Sequence, residues 1–350
     1  MDFTISPETN ELVARVREYV DSRLVPLEPR LLEDGFGAVL DELRSCRAEV
    51  QKLGLWAPNY PLEYGGLGAD LVTHGLISEA LGRCPLGHYA FGCNAPDAGN
   101  AELLHMYGSE EQKREWLAPL AAGDIRTCFG MTEAANSGAN PLMLETRAVL
   151  DGDEWVINGD KWFATGADGA ALCIVMAVTD PDARPHQRAS MLLVPVATPG
   201  YQLVRNTPIM GHAGIDLFSH GEIRFQDCRV PLDNLLGPRG EGFRLAQARL
   251  GPGRIHHCMR WLGICERAME LMLRRATTRE ISPDGKLLAD SDIVKEWIAD
   301  SAAEIRAARL MVLHTAWRIE HAGARAARDE VSMIKYYVAG VLQRVLDRAL

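Results

Sequence analysis

The sequence lacks the marks of several protein classes. No CxxC pair occurs among its eight cysteines, Cys46, Cys84, Cys93, Cys128, Cys173, Cys228, Cys258 and Cys265, and their scatter has no zinc-ligand spacing. They read as small buried thiols of a reducing compartment, and no metal site is expected. The apolar runs, such as Ala170 to Val178, are far too short to span a bilayer. The start, Met1-Asp-Phe-Thr-Ile-Ser-Pro-Glu, has early acids and no apolar core, so it matches neither a secretory signal nor an Arg-rich transit peptide. A cytoplasmic protein is the expectation. Basic residues are outnumbered, 37 Lys+Arg against 47 Asp+Glu, and the formal charge of −10 disfavours nucleic acid as a partner. Internal repeats and low-complexity tracts are also missing.

What remains is a globular composition, 47% hydrophobic and 24% charged over 350 residues, enough for two or three domains with cores of their own. Residues 1–125 read as helices. Ser6-Pro7-Glu8 is a helix start, followed by Leu12, Val13, Val16, Tyr19 and Val20 at helical spacing. Val39, Leu40, Leu43, Val50 and Leu53 form a second stripe, and Ser109 caps a helix from which Trp116 and Leu120 face inward. Residues 126–236 change period. Thr146–Leu150, Asp151-Gly-Asp and Glu154–Asn158 spell a hairpin, and further strand runs start at Ala171, Ser190, Tyr201 and Gly221. That density of short strands predicts a small barrel or sandwich. Residues 237–350 return to long antiparallel helices: Phe243–Arg279, broken only at Gly251-Pro-Gly, then Ile293–Ala322, then Val331–Leu350. The expected fold is mainly α with a central β-domain between two helical domains.

The stretches Cys128–Glu133, Asn158–Ala167, Arg229–Gly237 with Gly240–Phe243, and Gly251–Arg260 are four motifs that in this order resemble the acyl-CoA dehydrogenase family. Cys128-Phe-Gly-Met-Thr-Glu is similar to the family's first flavin loop, and Asn158-Gly-Asp-Lys-Trp-Phe-Ala-Thr-Gly-Ala to its second. Arg229-Val-Pro-Leu-Asp-Asn-Leu-Leu-Gly with Gly240-Glu-Gly-Phe matches the crossing into the last domain. Gly251-Pro-Gly-Arg-Ile-His-His-Cys-Met-Arg is close to a subgroup of long fusion-type and soil-bacterial members. The resemblance implies FAD, an acyl-CoA substrate, a homodimer or homotetramer, and an electron-transfer flavoprotein as the electron acceptor. A flat, mostly apolar flavin ring calls for an apolar wall and a few placed donors. The resemblance assigns Phe129, Met131 and Thr132 in the first loop to it, and Phe163 and Thr165 in the second. It also gives Arg254 to the pantetheine arm of CoA and Arg279 to the FAD pyrophosphate of a partner subunit. The chain departs from the family at Ala134, which replaces a proline, and at Ala139, where a serine is usual; Ser137 is the substitute if the loop re-threads. Asp284 stands where an apolar residue is usual. His256 and His257 are neighbours about 100° apart on a helix, so they cannot act together on one atom.

The implied reaction is α,β-desaturation, with hydride leaving Cβ for the flavin and a carboxylate taking a Cα proton. One family position for that base precedes Arg254; here it is Gly253. The other lies beyond Leu350, so no base is assigned, and Glu133 is too embedded in the flavin loop to serve. The third helix has no stop signal at Leu350. This favours a longer dehydrogenase with an incomplete last domain over a natural short form. A stop there is expected to expose Tyr336, Val338, Val341, Leu342, Val345 and Leu346. Two other functions stay open: a same-fold flavin oxidase or monooxygenase acting on a non-CoA substrate, and a catalytically impaired, non-enzymatic partner subunit.

Overall fold

The structure is a computed structural model that describes residues 4–350, with backbone only at Gly251 and Pro252. The opening residues Met1, Asp2 and Phe3, part of the leader reading, lie outside the described residues. The helices are α1 Pro7–Tyr19, α2 Glu28–Asp34, α3 Leu40–Lys52, α4 Leu71–Gly82, α5 Gly87–Ala90, α6 Asp97–Tyr107, α7 Glu110–Gln112, α8 Ala118–Ala122, α9 Gly242–Thr278, α10 Asp292–Ala322 and α11 Arg328–Ala349. Between α8 and α9 run β1 Thr127–Gly130, β2 Arg147–Asp151, β3 Glu154–Thr165, β4 Leu172–Val178, β5 Ala189–Pro195, β6 Tyr201–Asn206, β7 His220–Pro231 and β8 Leu235–Leu236. The helix–strand–helix order is as expected. By internal contacts the chain forms two units. One joins the segment ending at Glu28 to Ala69–His88 and Gly251–Leu350, and the other joins Pro29–Gly68 to Tyr89–Leu250.

The strands make one mixed sheet in the order β6-β7-β3-β2-β4-β5-β8, with β1 parallel to β4. The sheet is not closed, so the barrel option is not realised. β2 and β3 form the expected hairpin, turning at Gly152 with φ 63°, a left-handed conformation that glycine adopts without strain. β4 and β5 are buried along almost their whole length, which explains their continuous apolar runs. The core of this β-rich region holds Cys128, Cys173, Trp155, Ile157, Leu192, Val194, Ile223 and Phe225.

In the helical unit the core is built from α9, α10 and α11, with Ile255, Met259, Leu262, Val312, Ile334, Val338, Val341 and Val345. Small residues let α4 and α9 approach closely. A Cβ added at Gly263 would lie 2.0 Å from the Glu79 carbonyl oxygen and 2.9 Å from Gly82 Cα. The Arg83 guanidinium, 3% exposed, is held by Asp21 at 3.0 Å and Glu270 at 2.8 Å.

Several expectations need correction. The break at Gly251-Pro-Gly does not occur: α9 is continuous through it. Proline keeps a helical φ and forfeits one hydrogen bond, and its glycine neighbours bring no Cβ to the crowded turn. The face at Tyr336–Leu346 is not bare. Val338, Val341 and Val345 are fully buried, because their spacing turns them onto the core, and Tyr336, 86% exposed, lies off that stripe. Trp116 is only half-buried. The widened turn Lys113–Leu117 rotates the helix, so that Leu117 and Leu120 take the inner positions. Leu53 falls just past the end of α3 and is exposed.

Candidate functional site

The two flavin-type segments meet in the β-rich unit. β1 ends at Gly130, so Met131 and Thr132 lie just past the strand rather than within it, and both are half-buried. The Trp162 N–H donates to the Thr132 carbonyl at 2.7 Å, which ties the first segment to the second. The β3–β7 register shifts between Lys161 and Ala164, so the strand bulges at Trp162-Phe163. In a regular strand these neighbours would face opposite sides of the sheet. The bulge instead stacks their rings, with centroids 4.2 Å apart and planes at 28°. Phe163 has φ 54°, unusual for a bulky residue, and it is 39% exposed. A strained, outward aromatic platform is the kind of wall a flat cofactor ring needs. The Trp162 indole is locked in turn by an Nε1–H bond to Thr207 Oγ1 at 2.9 Å. Thr165 is half-buried, with its hydroxyl 3.0 Å from His220 Nδ1.

An ion pair anchors the first loop. Lys161 is fully buried and its Nζ is 2.8 Å from Glu133 Oε1. Glu133 also accepts from the Glu145 and Thr146 N–H groups at 2.7 and 2.9 Å, which staples both ends of the 133–146 loop. Burial alone would raise the Glu133 carboxyl, but the Lys161 charge and these bonds outweigh it and bring it down to about 2. A carboxylate held ionised in this way is a poor acceptor for a proton. Ser137 and Ala139 are both exposed on the loop, and Asn140 caps the turn at Pro141 by accepting from Leu142 N–H. Phe129, half-buried in β1, lies under the guanidinium of Arg249, with Cζ 4.4 Å from the ring centroid. Sequence reading missed Trp162, Lys161, His220 and Arg249. Only Trp162 left a signal: two adjacent aromatics in a strand that must expose one of them.

The remaining candidates belong to the helical unit. Arg254 is half-buried on α9 and makes no ion pair or side-chain hydrogen bond among the described residues. A Cβ at Gly253 would meet nothing within 4 Å, so the base position is empty of neighbours as well as of a carboxylate. Arg279 is exposed just beyond α9, and Asp284 lies in the turn that follows, 3.9 Å from Lys286 Nζ. His256 packs inward, its ring 3.8 Å from that of His74. Burial, and then the Arg260 charge, take His256 down to about 4. His257 instead contacts Arg260, with Nδ1 3.0 Å from Nη2. The two histidines thus make different direct contacts, although Arg260 acts on both. Among the described residues no group of three or more His, Cys, Asp or Glu could hold a metal ion, and no helix is long and apolar enough to cross a membrane.

Comparison with known proteins gives this geometry a context. Family models for the acyl-CoA dehydrogenase N-terminal, middle and C-terminal domains match residues 6–124, 128–228 and 240–350. A Mycobacterium tuberculosis relative described as an acyl-CoA dehydrogenase, FadE2, is 48% identical over 315 residues, covering 89% of this chain and 75% of that protein. Human acyl-CoA dehydrogenase family member 11 is 37% identical over 362 residues, 99% of this chain but only 45% of that protein. The chain therefore spans under half the length of the mammalian relatives it matches. Among solved structures, an acyl-CoA dehydrogenase-type protein from Mycobacterium abscessus superposes with a TM-score of 0.92 at 39% identity, covering 99% of this chain and 88% of that one. A glutaryl-CoA dehydrogenase in complex with glutaryl-CoA superposes at 0.84 with 25% identity, covering 100% of this chain and 86% of that one. The chain belongs to the acyl-CoA dehydrogenase family.

Proposed function

We propose that this chain, or the longer protein it is part of, is an FAD-dependent dehydrogenase that introduces an α,β double bond into an acyl-CoA thioester. The observation that carries this reading is the bulge in β3, which spends backbone strain to present Phe163 stacked on Trp162 beside the Thr132 segment. Bound FAD supplies the acceptor for the hydride that leaves Cβ. Phe163, Phe129 and Met131 form its apolar surroundings, and Thr132, Ser137 and Thr165 are its hydroxyl donors. His220 Nδ1 lies 3.0 Å from the Thr165 hydroxyl; with its proton on Nδ1 the imidazole donates to that oxygen and leaves the hydroxyl proton for the flavin. Lys161 and Glu133 keep the loop in place. Arg254, without an ion pair or side-chain hydrogen bond among the described residues, meets polar acceptors of the pantetheine arm, and Arg279 reaches the pyrophosphate of a neighbouring subunit's FAD. The base is not among the residues assigned here, because Gly253 occupies the position the family resemblance points to. An electron-transfer flavoprotein is the proposed oxidant of the reduced enzyme, and the proposed domain limits are 1–125, 126–236 and 237–350.

The test is spectroscopic. Protein reconstituted with FAD should be yellow and should bleach anaerobically on addition of saturated acyl-CoA. Replacement Phe163→Ala should weaken FAD retention at least tenfold, read by dialysis. Retention that is unchanged, or a flavin that no acyl-CoA bleaches, would count against the reading. Peroxide release under air with a non-CoA substrate would point to the oxidase chemistry instead.

A further inference from the structure

We propose that Arg249 is a specificity-determining residue and that it takes a carboxylate carried on the acyl chain of the substrate. This rests on the acyl-CoA reading above. Arg249 is a half-buried cation with no directly paired acid: Glu102 and Asp97 act on it at longer range, but among the described residues no carboxylate oxygen lies within 4.0 Å of it. Its Nε donates to Asn100 Oδ1 at 3.3 Å and its Nη2 to the Pro96 carbonyl at 3.4 Å, both long contacts. A guanidinium has five N–H donors, so most of this fork is unspent. The fold makes room for it. A Cβ at Gly99 would lie 2.8 Å from Arg249 Nε, so any larger residue on that face of α6 would displace the side chain. The Phe129 face beneath orients the plane of the guanidinium.

Beside the acceptors Asn100 Oδ1 and the Pro96 carbonyl, two groups on this side of the unit can act as donors. Glu102 lies three residues beyond Gly99 on α6, on the same face. Burial raises its carboxyl to about 7 against the pull of Arg249, so near neutral pH much of it is protonated and can donate. Tyr60, raised first by burial, then by the charge of Asp97 and less by that of Glu102, has a buried hydroxyl without a hydrogen-bond partner among the described residues. A cationic fork with neutral donors beside it complements an oxyanion. A methyl-ended chain would leave those donors unpaired in a desolvated site, a situation that strongly discriminates between substrates.

Matched pairs of thioesters test this in the FAD-loaded chain: adipoyl-CoA against hexanoyl-CoA, and glutaryl-CoA against pentanoyl-CoA. Anaerobic flavin bleaching and equilibrium binding are both measured. The carboxylate-bearing member of at least one pair is expected to be favoured by about tenfold or more. Arg249→Leu should bring that ratio to one or below, and Arg249→Lys should keep part of it. Equal or reversed preference in the unsubstituted chain would overturn the inference, and so would a ratio unmoved by Arg249→Leu. If the leucine variant does not fold, the unsubstituted ratio and the lysine variant decide. Bleaching by hexanoyl-CoA without a carboxylate preference would remove this inference alone. No binding or bleaching with any thioester would remove the acyl-CoA reading as well.

Discussion

Glu133 and Lys161 act as a unit, and their burial sets what either one is worth. With Lys161 fully buried and Glu133 6% exposed, neither charge has water to fall back on. Replacing Lys161 by Met leaves a buried carboxylate whose ammonium partner is gone, which should cost about 3–5 kcal/mol. The midpoint of urea unfolding should fall accordingly, and a midpoint unchanged in Lys161→Met would contradict the staple. The sign of the pH effect follows from the lowered Glu133 carboxyl. Its contribution is complete above its ordinary value of 4.5 and is lost as pH falls from there towards about 2. In the sequence this pair was only an acid and a lysine in two separate loops. Nothing in their 28-residue separation marks a contact.

At the scale of the element, the meeting of α4 and α9 illustrates what amphipathic patterning leaves out. The sequence has histidines at 74, 88 and 256, and only the packing gathers all three in one unit, His74 buried and His88 and His256 half-buried, with Ser78 2.8 Å from His88 and the His74 and His256 rings in contact. All three are pushed down by burial, and the charge of Arg260 adds to this at His88 and His256. A histidine kept neutral in the fold contributes fully above its ordinary 6.5, and that contribution is lost as pH falls from 6.5 towards about 4. Glu79, raised to about 7 by burial against the pull of Arg309, works with the opposite sign in the same range. The difference between the wild type and His256→Gln isolates the histidine. Between pH 7.5 and pH 5 the wild type should lose about 2 kcal/mol relative to the variant, read from paired urea titrations. A constant difference would show that His256 is not held neutral.

For the whole molecule, the exposed apolar residues of α10 and α11 bear on assembly. Trp317 is 50% exposed, Met333 50% and Tyr336 86%. The family resemblance and the proposed role of Arg279 both call for subunits that share cofactor contacts. Light scattering should therefore give at least twice the chain mass, and a monomer at micromolar concentration would remove Arg279 from the cofactor site. The order of helices, strands and helices was legible because the apolar period changes near Arg126 and again near Gly237, and each change is a local property of the chain. The open sheet was not legible, since closure depends on which edge strands meet, and short strands carry no signal of that.

By itself the sequence determined the element types, the β2–β3 hairpin with its Gly152 turn, and the four motifs that mark the family. Side-chain periodicity and turn chemistry act within a few residues of each other, so they can be read from neighbours in the chain. Tertiary structure alone decided which side chains share an environment. It stacked Trp162 on Phe163 through a bulge, placed Arg249 over Phe129 across 120 residues, and turned Val338, Val341 and Val345 inward. Desolvation and charge pairing are properties of those assembled surroundings. Hence the firmly ionised Glu133, the neutral His256 and an Arg249 without a directly paired carboxylate come into being only when the chain folds.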